Sequence, residues 1–364
     1  MKTVLHVVGA RPNYMKIAPV MDALRPYAGI RQLLVNTGQH YDDAMAGGFL
    51  RELALPAPDR DLGVGSASHA VQTARIMIAF EEICLAERPD LVVVVGDVNS
   101  TMAATIVAAK LLIPVAHVEA GLRSFDRTMP EEVNRIVTDS LADLLLTPSP
   151  DADANLRAEG VSEAKIHRVG NVMIDTLRRH LPHATRERVA GRFPIVDRPY
   201  AVLTLHRPSN VDRADTLRGI LEAVRYVSAK MPVVFPVHPR TRARLAEFGL
   251  AAALDGAVVT DPLGYIDFLA LTSHASLILT DSGGLQEEST ALGIPCLTLR
   301  ENTERPVTVS DGTNQVVGTR PGDIIDGVEK AFASTGAPKR IPDLWDGRAA
   351  ERIATVIGRF LDAC

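Results

Sequence analysis

Short runs of apolar, β-branched residues alternate along the whole chain with longer segments in which apolar positions recur at helical spacing. Residues 3–8 form the first such run; a Gly-Ala-Arg-Pro turn follows, and then a helical pattern through Met15, Ala18, Met21 and Leu24. Further runs at 32–35, 91–95, 114–118, 143–146 and 166–169 read as strands, with an amphipathic helix over 71–87 and a polar link over 57–68. The runs are continuous rather than alternating, the signature of strands buried on both faces of a parallel sheet. Strand and helix in strict succession predict right-handed crossovers with helices on both sides.

The rhythm breaks over 178–199, rich in Arg, His and Pro, with a hinge expected near 170–178. It restarts with strands at 201–205, 233–237, 257–259, 277–279 and 296–299, and a last helix over about 349–361 is expected to return to the first half. The expected fold is therefore α/β, with two Rossmann-like doubly wound domains facing a cleft. The first spans 1–172 plus the helix at 349–364, and the second 173–348. Polar and charged residues collect after the strands, at the edge where open parallel sheets bind ligands.

Composition narrows the choices. The 364 residues are 46% hydrophobic, 23% charged and 4% aromatic, enough for two folded cores. A net charge of −5 argues against a general nucleic-acid or membrane-surface binder, so any phosphate site must be local. Cys84, Cys296 and Cys364 have neither disulfide-framework nor metal-ligand spacing. With no signal-peptide pattern and no membrane-length apolar run, a cytoplasmic enzyme with no metal is expected.

The sharpest ligand feature runs from Asp281 through Ser282, Gly283 and Gly284 to Glu287 and Glu288. A strand stops, two glycines admit close approach, and a helix begins with its free N–H groups and positive dipole end outward, which suits a diphosphate. The plain alternative is a helix start capped by Ser282. Neither a G-x-x-x-x-G-K-[ST] loop nor a complete dinucleotide fingerprint occurs, which weighs against ATP hydrolysis and hydride transfer. Arg11 suits bidentate phosphate contact in its turn, while Lys16 reaches inward only if its helix rotates that way. Asp97, Glu119 and Glu131 follow three successive elements and can converge for proton transfer. Asp97 and Glu131 also suit helix starts. Glu119, at the end of a buried strand, is harder to explain as structure alone. His206 ends the corresponding strand of the second half.

Taken in order, Gly9-Ala10-Arg11-Pro12 with Lys16, Thr37-Gly38-Gln39-His40, Gly96-Asp97, His117-Val118-Glu119-Ala120-Gly121-Leu122-Arg123, Pro130-Glu131-Glu132 with Asn134-Arg135, Gly170-Asn171, Pro236-Val237-His238, the 281–288 stretch and Thr303-Glu304-Arg305-Pro306 are a specific set. It resembles the non-hydrolysing UDP-N-acetylglucosamine 2-epimerases across nearly the whole chain. The resemblance implies a GT-B fold, a homodimer, no cofactor, and reversible conversion of UDP-N-acetylglucosamine to UDP-N-acetylmannosamine. UDP is eliminated to give a bound glycal, then adds back. It also implies catalytic roles for Asp97, Glu119, Glu131 and His206. Substrate contacts are implied from Arg11, Lys16, Arg135, His238, Phe268, Ser282, Gly283, Gly284, Glu288 and Arg305.

Two departures keep alternatives open. Tyr41-Asp42 and Ser66 replace residues that in many bacterial members bind a second, activating UDP-sugar, and His206-Arg207-Pro208-Ser209-Asn210 alters a His-Arg-Arg-Glu-Asn pattern. The same chemistry on a UDP-2,3-diacetamido-uronic acid, a hydrolysing epimerase, a GT-B glycosyltransferase and a UDP-sugar sensor are the competing readings.

Overall fold

The apolar runs become the central strands of two parallel sheets. A computed structural model describes residues 1–38, 57–193, 198–333 and 340–363; the Arg11 side chain and residues 39–42 lie outside the described part. The chain divides into two compact units, Met1–Thr176 with Asp343–Cys364, and Leu177–Pro342.

In the first unit, β1 (Lys2–Val8), β2 (Ile30–Asn36), β3 (Arg60–Asp61), β4 (Leu91–Val95), β5 (Val115–Val118), β6 (Leu144–Thr147) and β7 (Ile166–Arg168) form a seven-stranded sheet in the order β3-β2-β1-β4-β5-β6-β7. The two-residue β3 lies in the stretch expected as a polar link. Both of its residues are exposed, so no apolar signal marks it. In the second unit, β8 (Ala201–Thr204), β9 (Val233–Pro236), β10 (Ala257–Thr260), β11 (Leu277–Thr280), β12 (Cys296–Thr298) and β13 (Asn314–Val316) are ordered β10-β9-β8-β11-β12-β13. All pairings are parallel. Each order runs outward in one direction and then reverses, so each sheet has a switch point, β1/β4 in one and β8/β11 in the other. There the connecting loops part and leave a crevice at the carboxyl edge.

Helices cover the sheets, and the cores are aliphatic. Leu5, Val92, Val94, Ala104 and Leu145 belong to the first, and Leu203, Ile220, Val224, Leu279 and Val328 to the second. The described residues of the segment expected to break the rhythm carry no strand: Val172–His180 runs into it, and Leu181–His183 and Arg186–Ala190 are short helical pieces. The last of these is tied to the second unit by Arg188 and Asp267, 2.9 Å apart. The final helix, Ala349–Ala363, belongs to the first unit. Its opening N–H groups at Ala349 and Ala350 donate to Asp175 at 3.2 and 2.8 Å, and Trp345 Nε1 donates to the carbonyl of Pro148. No described helix is long and apolar enough to cross a membrane.

Candidate active site

At the β1/β4 switch point, glycine is required by crowding: a Cβ on Gly9 would overlap Ser100 Oγ and come within 2.6 Å of Thr37 Oγ1. Those two hydroxyls bond to each other at 2.7 Å. Asn13 closes the turn. Its Oδ1 accepts from the N–H of Gly9 and Ala10 at 3.1 and 3.0 Å, and its Nδ2 donates to the carbonyl of Val95 at 2.9 Å. The helix Arg11–Leu24 is thereby locked onto the end of β4, and Lys16, one turn in, is buried. Its Nζ forms an ion pair with Glu119 and lies 2.9 Å from where a Cβ on Gly96 would sit. The inward rotation, left open by the sequence, is the one adopted.

Glu119 follows β5 with φ at +75°, a left-handed conformation that disfavours a residue with a Cβ. Its N–H donates to the carbonyl of Leu146 at 3.0 Å, which holds the strained turn in place. Such strain persists only where surrounding bonds over-determine it, and it concentrates at functional sites.

Asp97 does not cap the helix that follows it, Asn99–Lys110, whose N-cap is Val98. Instead its carboxylate sits 2.5 Å from Arg135 Nη1, and its carbonyl accepts from Asn134 Nδ2 at 2.9 Å. Both partners come from the helix Pro130–Leu141. The neighbouring acids on this helix part company. Glu132 is buried against Arg135 at 2.6 Å and accepts from the N–H of Ser124 and Phe125 at 3.0 and 2.8 Å. Burial opposes its ionisation, but these donors and the Arg135 charge hold it below the usual carboxylate range. Glu131, a residue earlier, is exposed. One step along a helix turns a side chain by about 100°, so the buried anchor and the exposed acid stand side by side in sequence and apart in role. Glu132 was missed as an anchor, and only its adjacency to Glu131 marked it.

At the β8/β11 switch point the centre is Asp281, fully buried at the end of β11. It accepts from the N–H of His206 and Arg207 at 3.0 and 2.9 Å and from Asn210 Nδ2 at 3.2 Å, and it pairs with His206 Nδ1 at 2.8 Å. Burial would raise its pKa, but the His206 ring and these donors hold it lowered. The His206 ring is 42% exposed and lies 5.9 Å, centroid to centroid, from that of His238. His238 itself opens the helix Pro239–Glu247, its Nδ1 accepting from the N–H of Arg240.

The helix Gly283–Leu292 starts at Ser282, whose side chain makes no cap hydrogen bond; the plain reading of that serine does not hold. Its two glycines differ. A Cβ on Gly283 would lie 2.7 Å from Glu304 Oε1, whereas one on Gly284 meets nothing within 4 Å, so the open space lies over Gly284. Glu304 is held by Arg300 at 2.7 Å and Arg207 at 3.1 Å, and Arg305 pairs with Glu287 at 2.6 Å. Glu304 is buried, which opposes ionisation, yet the charges of Arg305, Arg207 and Arg300 draw its pKa far down. Arg207, Arg300 and Glu304 were not singled out as partners; Arg207 lies 97 residues from Glu304 in the chain, and such long-range pairing leaves no local pattern. Glu288 is the contrast: buried, it accepts from Tyr265 Oη at 3.2 Å, and desolvation pushes it up to about 7. Phe268 is half-buried on the same helix as Tyr265, Tyr265–Ser273.

The structure thus brings Lys16 to Glu119 and Arg135 to Asp97 in the first unit, and His206 to Asp281, Arg305 to Glu287 and Glu288 to Tyr265 in the second. Glu131 shares a helix with Arg135 but is not joined to the paired acids by a described bond. Among the described residues, no group of three or more His, Cys, Asp or Glu is placed to hold a metal ion.

Comparison with known proteins gives one consistent answer. The sequence model of the UDP-N-acetylglucosamine 2-epimerase family matches residues 22–358. The UDP-N-acetylglucosamine 2-epimerase of Methanocaldococcus jannaschii is 42% identical over 359 residues, 96% of this chain and 97% of that protein. The UDP-2,3-diacetamido-2,3-dideoxy-D-glucuronate 2-epimerase of Pseudomonas aeruginosa is 38% identical over 98% of this chain and 99% of its own. The crystal structure of the M. jannaschii UDP-GlcNAc 2-epimerase in complex with UDP-GlcNAc and UDP is similar with a TM-score of 0.90 at 40% identity, covering 99% of this chain and all of that one.

Proposed function

Because the chain belongs to the UDP-N-acetylglucosamine 2-epimerase family, we propose that it interconverts UDP-N-acetylglucosamine and UDP-N-acetylmannosamine. The hydrogen on sugar carbon 2 has no conjugated carbonyl, so a free carbanion is out of reach, and elimination is the economical path. A carboxylate takes the carbon 2 proton, the electron pair forms the carbon 1–carbon 2 double bond, and the bond from carbon 1 to the diphosphate oxygen breaks with its electrons on UDP. A second acid then returns a proton to the opposite face of carbon 2 as a UDP oxygen re-forms the bond to carbon 1.

One observation carries this reading: the buried Lys16–Glu119 pair at a strained turn, next to the Gly96-Asp97 turn, at a switch point. Glu119 and Glu131 are the proton-transfer pair, Glu119 held by Lys16 and Glu131 left exposed to reach the sugar. Asp97 supports them, and Arg135 acts by holding Asp97. The second unit receives UDP. Gly283 and Gly284 present their N–H groups at the helix start to diphosphate with the Ser282 hydroxyl beside them, Glu288 takes the ribose hydroxyls, and Phe268 lies by the base. Arg11, His238 and Arg305 add contacts to the phosphates. His206, its Nδ1 committed to Asp281, has Nε2 for the leaving diphosphate. Electrostatic stabilisation of a leaving oxyanion by such preorganised groups is usually the largest catalytic term. A homodimer belongs to the same reading and is checked by the mass in solution.

A proton NMR time course with UDP-N-acetylglucosamine in deuterium oxide tests the proposal. Formation of the manno epimer deuterated at carbon 2, with little free UDP, is expected. Free UDP with N-acetylmannosamine would make the enzyme hydrolytic. No exchange would remove this substrate in favour of the diacetamido-uronic acid, the second reading. That reading draws on the 38% identical relative and on the Pro208-Ser209 departure, which forms the short helix Pro208–Val211 directly after His206 and Arg207.

A further inference from the structure

His117 lies on β5, two residues before Glu119, and is wholly buried with both ring nitrogens engaged. Nδ1 is 2.6 Å from Asp139 Oδ1, and Nε2 is 2.9 Å from the carbonyl oxygen of Gly96. A carbonyl can only accept, so Nε2 carries a proton. Asp139 is held as a carboxylate, its other oxygen accepting from the N–H of Gly121 at 3.0 Å and from Arg123 Nη1 at 2.7 Å. Both of those groups can only donate, and the Arg123 guanidinium favours the charged acid. An oxygen without its own proton must accept from Nδ1, so Nδ1 carries a proton too.

We infer that His117 is held with both ring nitrogens protonated and acts as a positioning residue, its two N–H groups tying the helix that carries Asp139 to the Gly96-Asp97 turn. The geometry explains why both ends matter. Gly96 is in the left-handed region at φ +69°, and its N–H donates to the carbonyl of Val118 at 3.1 Å. With its carbonyl held by His117 as well, the peptide that leads into Asp97 has one orientation. Asp139 lies on the helix Pro130–Leu141, which also bears Glu131, Asn134 and Arg135, the last two bonded to Asp97. The ring therefore fixes the spacing between Asp97 and the helix that grips it, and it sits on β5 two residues before the Glu119 turn.

The charged groups around the ring balance. Asp139 faces it directly, Arg123 sits behind Asp139 and is itself held by Glu159 at 2.7 Å, and the nearby turn at Gly96 is approached by Lys16, paired with Glu119. Two cations meet two carboxylates in the first group and one meets one in the second, so an imidazolium is not an uncompensated buried charge. A neutral ring would leave either the Gly96 carbonyl or the Asp139 carboxylate facing a lone pair.

The imidazolium is tested without any substrate, by long-range proton–nitrogen NMR of the full chain labelled with ¹⁵N-histidine, His117 being assigned by the signals missing from His117→Asn. In the folded protein His117 is expected to show both ring nitrogens protonated. A single protonated nitrogen would overturn the assignment. The positioning role rests on the proposed epimerase reading and is read from turnover of whichever UDP-sugar the wild-type enzyme accepts. His117→Asn keeps a donor for Asp139 but cannot reach Gly96. It should fold with a lower thermal midpoint and, at a temperature where it is folded, keep KM within a few-fold while kcat falls about 100-fold, the effect of a small misplacement of reacting groups. Wild-type kcat in the folded variant, or a fall in kcat matched by unfolding, would overturn positioning. Failure of the wild type to turn over either sugar would count against the proposed function and leave the NMR result standing.

Discussion

The two switch points share one topology and hold opposite chemistry. At β1/β4, the charged residues are held as close pairs: Lys16 on Glu119, Arg135 on Asp97 and Glu132. At β8/β11, arginines and a glycine-led helix surround an anionic core of Asp281, Glu287 and Glu304, and the helix start is left without a side-chain cap. In the first unit β4 is followed by a left-handed Gly96 and then Asp97, where the second unit follows β11 with Asp281 and a helix. The strand order decides where a ligand can sit; the residues after each strand decide what happens to it.

The comparison is broken most severely by removing proton transfer from the first unit alone. Glu119→Gln should lower kcat by about 10²–10⁴-fold, the usual range for a general base, while UDP affinity stays unchanged by calorimetry; a parallel loss of UDP binding would mean that the division of labour is wrong. Next in size, the glycines separate packing from binding in the second unit. Gly284→Ala, in open space, should fold normally and weaken UDP binding about tenfold, or about 1.4 kcal/mol. Gly283→Ala, pressed on Glu304, should lower stability by about 1–3 kcal/mol through overpacking.

A smaller effect sharpens the role of Glu288. Its folded pKa, about 7, is raised by burial, so below that value the unliganded protein holds the neutral acid. A ribose diol is best accepted by the ionised form, so UDP binding releases a proton. Affinity should rise several-fold as pH increases from about 6 to about 8, then level off, and Glu288→Gln should flatten the profile. For stability the sign is opposite. A raised carboxylate pKa means that the folded state binds the extra proton, so this group's contribution is present below about 4.5 and declines as pH rises to about 7.

The smallest effect concerns the helix Ala349–Ala363. Asp175→Ala removes the acceptor for the Ala349 and Ala350 N–H groups and should lower the melting temperature by a few degrees, an N-cap loss of about 1 kcal/mol, with kinetics unchanged. Burial raises Asp175 to about 6, but both of its oxygens accept, so Asp175→Asn, which drops the buried charge yet turns an Nδ2 donor toward one of the two N–H groups, should recover only part of the loss.

Much of this was legible because parallel strands buried on both faces are continuous apolar runs. Leu91–Val95 and Leu277–Thr280 announce themselves, and so does the chemistry directly after them. The glycine pair after Asp281 and the carboxylates after β4 and β5 could be named for that reason. The edge strand Arg60–Asp61 could not, because two exposed charged residues are held by ladder bonds rather than by burial. Nor could the short helices Leu181–His183 and Arg186–Ala190, where residues rich in Arg and Pro still form helices once packed.

By itself, then, the order of residues determined the two parallel sheets, their ligand-binding edges and the acids, cations and glycines found there, since these depend on local periodicity and on the few residues after each strand. Only the tertiary structure decided which acid is an anchor and which is exposed, that Lys16 turns inward, that Glu119 is held in a left-handed turn, and that the His117 ring is gripped at both nitrogens. Ion pairs and hydrogen bonds between residues far apart in the chain are set by how elements pack. That packing leaves no mark within any one segment.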